Sequence, residues 1–464
     1  MLESISLSPT KKHSGVLRMK DKAIVIGASM SGLLAARVLS DFYNEVMIIE
    51  RDTLTDRIEN RRGVPQGWHA HAILSGGSVA LERQFPGITQ EMVNSGALLS
   101  DVSNDGRWFF EGAALKRAPS PTRAILASRP LLECTIRKRI RVIKGMSILE
   151  GQSVKHLHYS GGRVKGVRTG EGILYADLVV DASGRGSQAP MWLEWLRFPV
   201  PRAETVEVNV AYSTRIFRRR TSDIDGDLFA VVPATPDIPQ SGVIVAQEGD
   251  RWIATLVGRF GQLPPTDLAG FIGFSKKLND PHMYRAIRNA EPIGDARTMR
   301  FPASIRRRYE EVTRSPHGFL AFGDAICSFN PVYGQGMTVA ALQAEALRAQ
   351  LEKGADDLPK RFYGSAAKLI DNPWNIAVGS DLKLPETKGR RTFGGKVMNW
   401  YIARLHRLGH RDTEAAQAFL RVTQLLDEPS TLMRPSLAFR VLLSGLGSKS
   451  RGNGVLLNRE RAEA

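Results

Sequence analysis

The sequence predicts an α/β protein in which a Rossmann-like parallel sheet is combined with an antiparallel sheet and a C-terminal group of helices. Residues 22–52 alternate strand, helix and strand around a turn of small residues. Residues 204–260 place apolar side chains at every second position, and residues 360–443 place them at helical spacing. With 464 residues, the chain is long enough for two or three packed units.

The first βαβ unit is the most informative segment. An apolar strand at 23–26 leads into the turn at 27–32, a helix over 33–39 follows, and a second apolar strand over 46–49 ends at Glu50. Glycine permits the tight turn and the close packing of helix on strand. Free N–H groups at the helix start would bind a pyrophosphate, and the carboxylate would accept ribose hydroxyls.

One position departs from the usual dinucleotide pattern. Ser29 stands where the second glycine is expected, and its Cβ lies at the closest approach to a pyrophosphate. The segment alone therefore leaves an ordinary buried strand–turn–helix as an alternative.

Two later segments also lead from a buried strand into glycine. The strand at 178–180 ends in a glycine-rich turn that contains Gly184. The strand at 319–322 is followed by Asp324, and a loop through Pro331 then reaches a long alanine-rich helix. A carboxylate after a strand can bind a polyol, and a glycine-rich helix N-terminus can stabilise negative charge on a ring.

In order and spacing, these segments resemble the group A flavoprotein monooxygenases, which include 4-hydroxybenzoate hydroxylase and squalene epoxidase. The resemblance covers roughly residues 20–350. Segments 61–77 and 330–337 look most like the bacterial polyene epoxidases of polyether biosynthesis, which act on long flexible alkenes. The resemblance implies a hydroxybenzoate hydroxylase-like FAD-binding domain, a substrate domain built on the antiparallel sheet, and C-terminal helices.

The expected domains are discontinuous along the chain. We expect a disordered tail at 1–19, an FAD-binding domain at 20–77, 125–200 and 296–350, a substrate domain at 78–124 and 201–295, and a C-terminal helical region at 351–464.

The resemblance also implies site residues. Those expected to bind FAD are Gly27, Ala28, Ser29, Ser31, Gly32, Glu50, Arg51, Arg62, Gly63, Arg129, Gly184, Gly323, Asp324, Pro331, Gly334, Gly336 and Met337. Those expected beside the flavin ring are Gln66, His69, His71, Pro331 and Gly334. Loop-stabilising hydrogen bonds remain the alternative role for the two histidines, and a surface position at a helix start remains the alternative for the arginine at 129. No catalytic acid–base pair stands out, and no third ligand at metal spacing accompanies the histidines.

The implied activity is insertion of one oxygen atom from O₂ through a flavin C4a-hydroperoxide, most simply the epoxidation of an alkene in a hydrophobic polyketide- or isoprenoid-like substrate. FAD is the expected cofactor, and NAD(P)H or separately reduced flavin from a flavin reductase is the expected electron source. Aromatic hydroxylation, flavin-dependent isoprenoid reduction and partner binding without turnover stay open. A halogenase is disfavoured because Trp192-Leu-Glu-Trp195 lacks the Trp-x-Trp-x-Ile-Pro spacing.

Composition restricts the cellular compartment and the partners that we expect for this protein. Two cysteines cannot form a disulfide framework, and neither a signal peptide nor an 18-residue apolar stretch is found, so we expect a cytoplasmic protein. The net charge of +17 fits a solvated basic surface, or attraction to an acidic carrier protein, to an anionic membrane surface with peripheral docking, or to cofactor phosphates. Nucleic-acid binding is not expected, because no recognition motif accompanies the charge.

Overall fold

The computed structural model describes residues 20–444, so the tail predicted at 1–19 and the last part of the C-terminal region, 445–464, lie outside the described residues. The described chain forms nineteen strands and twelve α-helices. The strands are β1 Lys20–Ile26, β2 Tyr43–Ile49, β3 Ala72–Ile73, β4 Leu98–Asp101, β5 Gly106–Phe110, β6 Ala113–Ala114, β7 Arg123–Leu126, β8 Met146–Leu149, β9 His156–Ser160, β10 Arg163–Arg168, β11 Ile173–Tyr175, β12 Leu178–Asp181, β13 Ala203–Arg218, β14 Phe229–Val232, β15 Ser241–Gln247, β16 Arg251–Arg259, β17 Pro292–Arg307, β18 Phe319–Ala321 and β19 Cys327–Ser328. The helices are α1 Met30–Leu39, α2 Ser75–Gln84, α3 Ile88–Asn94, α4 Arg129–Arg141, α5 Ala189–Trp195, α6 Leu268–Ser275, α7 His282–Ile287, α8 Gly336–Leu351, α9 Leu358–Asp381, α10 Phe393–Gly409, α11 Thr413–Thr423 and α12 Pro435–Leu443.

A five-stranded sheet in the order β18-β12-β1-β2-β8 forms the first part, and every neighbouring pair in it is parallel. Residues 23–25 at its centre are fully buried, as expected for a parallel sheet covered on both faces. The predicted α/β fold class is confirmed. Because the strands run in one direction, the carboxyl ends of β1, β2, β12 and β18 meet at one edge, where ligands of such sheets bind.

An eight-stranded sheet in the order β19-β17-β13-β16-β15-β14-β5-β6 forms the second part. Its pairs are antiparallel except β14 with β5. Burial alternates along residues 205–210 of β13, as the sequence pattern predicts. Phe217, Trp252 and Leu256 share one apolar cluster with Phe271 of α6 and Met283 of α7. The opposite face lies against the segment around His69.

Segment 78–124, assigned above to the substrate domain, contributes to both parts. Helix α2 packs on α8 and helix α3 on α4, within the core of the parallel sheet. Strand β5 pairs with β14 of the large sheet, and β4 joins β7 and β3 in a separate three-stranded sheet. Strand β17 belongs to the large sheet although residues 296–307 were assigned to the FAD-binding domain.

Helices α10, α11 and α12 form a small core of their own, which includes Leu405, Phe419 and Val441 together with Leu115 from the loop after β6. Helices α9 to α12 follow one another without an intervening strand, as predicted for residues 360–443. None of the helices in residues 20–444 has both the length and the apolar character needed to cross a bilayer.

Candidate cofactor-binding site

The turn after β1 has the close packing that its glycines predict. Gly27 has a φ of +99°, and a Cβ there would lie 2.9 Å from the carbonyl oxygen of Ala182. A Cβ on Gly32 would overlap the carbonyl oxygen of Gly27. Helix α1 begins at Met30, three residues before the predicted start, because Ser29 is the extended N-cap residue. The first turn contains no acidic side chain, so its free N–H groups can bind an anion.

Glu50 lies at the end of β2 and is 5% exposed. Its carboxylate accepts the Ala28 N–H at 2.7 Å and the Asp52 N–H at 3.0 Å, one on each oxygen. Arg61 Nη1 lies 3.3 Å from Oε2. An ionised carboxylate has about four acceptor positions, so Glu50 can still accept hydroxyl groups of a ribose.

Ser29 belongs to a buried polar cluster that joins the turn to helix α4. Arg129 Nη2 donates to Ser29 Oγ at 2.7 Å, and Ser29 Oγ donates to Glu133 Oε1 at 2.6 Å. Arg129 Nε also donates to Glu133 Oε1, at 2.8 Å, and Arg61 Nε donates to Oε2 at 3.2 Å. A glycine at position 29 could make none of these side-chain contacts. The departure from the glycine pattern is therefore part of this cluster, which we call the Ser29 cluster (Ser29, Arg61, Arg129, Glu133).

Electrostatics keep the central carboxylate of the Ser29 cluster ionised. Burial raises the pKa of Glu133, but the charges of Arg129 and Arg61 and the Ser29 hydrogen bond outweigh burial and hold the pKa below its ordinary value. Sequence reasoning missed Glu133 and Arg61. The signal available was weak: an acidic residue one helical turn after an arginine, and one member of an Arg-Arg pair.

A cleft of about 370 Å³ opens beside this cluster. Its lining includes Leu54, Arg61, Arg62, Glu133 and Arg137. Two buried donor atoms of lining residues, Arg61 Nη2 and Arg137 Nε, have no hydrogen-bond partner among residues 20–444. Unpaired buried donors at a cleft fit a polar ligand such as the adenosine half of FAD.

Three residues predicted on this side of the site take different places. Arg62 is exposed and lines the cleft. Arg51 is exposed and makes no hydrogen bond or ion pair with any residue of the described chain. Gly63 donates its N–H to Asp52 Oδ2 at 2.7 Å, and a Cβ there would overlap that carboxylate. Gly63 thus shapes the loop through its contact with Asp52.

Asp324 follows β18 and is partly exposed. The preceding Gly323 has a φ of +65° and donates its N–H to Gln343 Oε1 at 2.9 Å. The carboxylate of Asp324 has no hydrogen-bond partner within residues 20–444. Burial among protein atoms raises the pKa of Asp324 to about 6, although the charges of Arg129 and Arg185 lower it. An acceptor without a protein donor at the strand ends fits a polyol ligand such as the ribityl chain.

The glycine-rich turn after β12 is held by the carboxylate of Asp181. Asp181 is fully buried at the end of β12 and accepts the Ser183 N–H at 3.0 Å and the Ser187 hydroxyl at 2.6 Å. This carboxylate is therefore satisfied by its own turn. Gly184 within the turn has a φ of +84° and open space on its Cβ side.

A second buried polar network holds the loop that enters α8. Asp381 is fully buried at the end of α9, and its carboxylate accepts Asn330 Nδ2 at 2.9 Å and the Tyr333 hydroxyl at 2.8 Å. Arg259 Nη1 from β16 lies 3.3 Å from the same carboxylate, and Tyr212 donates to Asn330 Oδ1 at 2.9 Å. Sequence reasoning identified the loop but did not assign a role to any of these side chains.

The predicted loop and helix residues lie directly on this network. Pro331 and Gly334 are exposed, and Gly334 has a φ of +65° that suits glycine. Gly336 begins α8 and its Cβ position lies 3.7 Å from Asp324 Oδ1, so the helix N-terminus and the carboxylate share one location. Met337 is buried in the core beneath.

Both histidines make hydrogen bonds that hold their segment in place, and their place beside the flavin ring stays a prediction. His69 Nδ1 lies 2.7 Å from Thr214 Oγ1 on the large sheet, and His71 Nδ1 lies 2.9 Å from the His69 carbonyl. Burial lowers the pKa of His69 to about 4. Burial and the charge of Arg129 lower the pKa of His71 to about 3. Gln66 accepts the His69 N–H through its carbonyl in a 3₁₀ turn.

Comparison with known proteins shows the family to which the chain belongs. Protein Rv3254 of Mycobacterium tuberculosis is 32% identical over 446 residues, which cover 90% of this chain and 92% of the relative. The chain belongs to the family of Protein Rv3254. No protein-family model matches the sequence.

Solved structures identify the fold. PqsL of Pseudomonas aeruginosa, a probable FAD-dependent monooxygenase, is 16% identical with a TM-score of 0.58, covering 86% of this chain and 99% of PqsL. The flavin-dependent brominase Bmp2 is 15% identical with a TM-score of 0.62, covering 92% of this chain and 99% of Bmp2. The chain has the fold of FAD-dependent monooxygenases, as its sequence resemblance implied.

Proposed function

We propose that this protein binds FAD at the edge of the parallel sheet and uses it as a monooxygenase, epoxidising an alkene in a hydrophobic small molecule. The main observation is that four separate elements converge at this edge: the N-terminus of α1, Glu50, Asp324 and the N-terminus of α8. The fold is consistent with this assignment.

The residues present fit FAD along its length. The first-turn N–H groups of α1 suit the pyrophosphate, and Glu50 has acceptor positions left for the adenosine ribose. The Asp324 carboxylate receives no donor from the described residues, so it can accept hydroxyl groups of the ribityl chain. The N-terminus of α8, fixed through Asp381, would stabilise negative charge on the ring. Arg129 donates to Ser29 Oγ, and its positive charge lowers the pKa of Asp324.

The protein's own groups favour an alkene over a phenol. When bound and reduced, FAD supplies the activation of O₂, and the chain supplies orientation and exclusion of water. Hydroxylation of a phenol benefits from a base, but the low pKa values of about 4 and 3 make His69 and His71 weak bases. An alkene needs no proton abstraction, so epoxidation fits this site better than aromatic hydroxylation.

The large sheet supports a hydrophobic substrate. Phe229, Val245 and Ile253 form an apolar cluster on the face that lies toward the His69 segment, and Ile216 packs against it. Trp68, with Arg297 at 4.5 Å from its ring, lies beside this face. NAD(P)H or flavin reduced by a partner reductase would supply electrons transiently, because the sequence has no second dinucleotide motif.

The test is turnover under ¹⁸O₂. Protein reconstituted with FAD and a flavin reductase would be supplied with NADH, a panel of unconjugated polyenes and a panel of phenols. We expect one ¹⁸O atom in an epoxide from a polyene, and a rate that falls in an Asp324→Ala variant with low FAD content. Label from water would remove the monooxygenase assignment. A hydroxylated phenol would favour the aromatic alternative, and a saturated product formed without oxygen would favour a reductase.

A further inference from the structure

The first half of helix α10 is exposed on most of its surface. Phe393 is 83% exposed, and Val397, Met398 and Trp400 are each close to half exposed. The helix contacts the body of the protein through Asn399, which donates to the Gly379 carbonyl at 3.2 Å, and through its second half, where Tyr401 and Leu405 are buried. A surface helix normally turns its apolar residues inward, so two turns with large apolar side chains facing outward need a partner.

Helix α12 extends the same surface. Phe439 is 64% exposed, and Leu442 and Leu443 are also exposed. Arg404 joins the two helices, because its guanidinium lies 4.4 Å from the Trp400 ring and its Nη1 donates to the Leu442 carbonyl at 3.1 Å. We call this surface the α10–α12 patch (Phe393, Val397, Met398, Trp400, Phe439, Leu442).

The surroundings of the patch are cationic. Residues 387–411 contain seven lysines and arginines and no aspartate or glutamate. Arg390 and Lys396 are exposed and make no ion pair with a residue of the described chain. Arg391 is different, since it donates to the carbonyls of Leu384 and Thr387 and fixes the chain before the helix.

We propose that the α10–α12 patch docks this protein on an anionic lipid surface. Exposed aromatic and aliphatic side chains on a segment rich in lysine and arginine are the composition of helices that lie in the interface of a bilayer. Each cation near an anionic leaflet strengthens binding, and the apolar side chains enter the acyl boundary. A second copy of the chain is a poorer occupant, because two cationic patches facing each other would repel.

Docking of this kind would place the protein where an apolar substrate is dissolved. The α10–α12 patch shares no residue with the cofactor site described above, and vesicle binding requires no turnover. Failure of the docking test would therefore leave the proposed monooxygenase activity untouched, and failure of that activity would leave the docking result intact.

The experiment is co-sedimentation of the FAD-reconstituted full chain with vesicles of phosphatidylcholine alone or with phosphatidylglycerol, at low and high salt. We expect binding to the anionic vesicles at low salt and its loss at high salt. Phe393→Ser with Trp400→Ser should weaken binding about tenfold or more. Arg390→Glu with Lys396→Glu should weaken it at least about 25-fold, roughly fivefold for each cation removed.

Two matched controls distinguish an effect of the α10–α12 patch from a general effect of surface hydrophobicity or net charge. Trp195→Ser removes another half-exposed tryptophan, on α5, and Lys144→Glu changes the charge at an exposed lysine between α4 and β8. Both controls should bind like the wild type. Absence of binding to anionic vesicles at low salt, or equal weakening in the controls, would overturn the proposal. So would a dimer in sedimentation velocity that the Phe393 and Trp400 substitutions dissociate, because the patch would then be covered by a second copy.

Discussion

Asp324→Asn should change cofactor affinity and stability in opposite directions. In the FAD-free protein, burial raises the pKa of Asp324 from 3.8 to about 6. Ionisation of this carboxylate at neutral pH therefore destabilises the folded state. A difference of about two pH units corresponds to about 3 kcal/mol, which partial exposure reduces to roughly 1–2 kcal/mol. The variant should be more stable than wild type by that amount.

With FAD bound the sign reverses. A charge-assisted hydrogen bond contributes about 1.5–3 kcal/mol, and a neutral amide acceptor retains about half of it. Asp324→Asn should therefore weaken FAD binding about five- to tenfold, and Asp324→Ala about ten- to a hundredfold. Because the ionised form is the better acceptor, wild-type affinity should fall as pH drops through about 6, and Asp324→Asn should lose that dependence.

The assay is urea denaturation of the FAD-free protein and fluorescence titration with FAD, each at several pH values. The raised folded pKa makes the wild-type free energy of unfolding decrease from about pH 4 to pH 6 through this group, a decrease that the variant should lack. Asp356→Asn, an exposed charge change, is the matched control. A variant that is less stable without FAD, or that binds FAD as wild type does, would refute the placement of Asp324 against the ribityl chain.

Three further substitutions test the rest of the site. Glu133→Gln leaves the buried Arg129 without its counter-charge and should cost about 3–5 kcal/mol in urea denaturation. Since the pKa of Glu133 lies below its ordinary value, this advantage of the wild type is present near neutral pH and fades as pH falls through that pKa, and a loss under about 1 kcal/mol would contradict the cluster. Gly32→Ala forces a methyl group onto a backbone carbonyl and should abolish retention of FAD on gel filtration, whereas Gly364→Ala, with open space around it, should leave retention unchanged. Asp381→Ala should speed chymotrypsin cleavage in the loop before α8 by about tenfold or more, because one lost hydrogen bond to a charged group is worth about 1.5–3 kcal/mol; unchanged cleavage would mean that the loop is held by other contacts.

The local sequence patterns were sufficient to predict the fold class. Strands β1, β12 and β18 contain apolar runs that lead into glycine, and the apolar run of β2 ends at Glu50. Their order along the chain is enough to predict parallel pairing at one edge. The alternation in β13 and the helical spacing after residue 360 were equally direct. These features depend on neighbours in sequence, which a single sequence displays.

The polar networks could not be predicted in the same way. Glu133 lies 104 residues from Ser29, and Asp381 lies 51 residues from Asn330. In the sequence each is one acidic residue in a helix, indistinguishable from a solvated surface charge. Only the packing of α4 and α9 brings them to the site, and burial then makes their partners obligatory. For the same reason the sequence favoured Arg62, although its neighbour Arg61 makes the buried contacts.

The Ser29 cluster has a consequence for how this family can diverge. Its four side chains come from three distant stretches and satisfy one another, so replacing any one alone strands a charge or a donor in the interior. Substitutions at these positions should therefore be strongly non-additive, and a serine-to-glycine reversion to the consensus motif should be accepted only together with changes in its partners. A pattern search built on the glycine motif would also miss any chain that, like this one, has serine at this position.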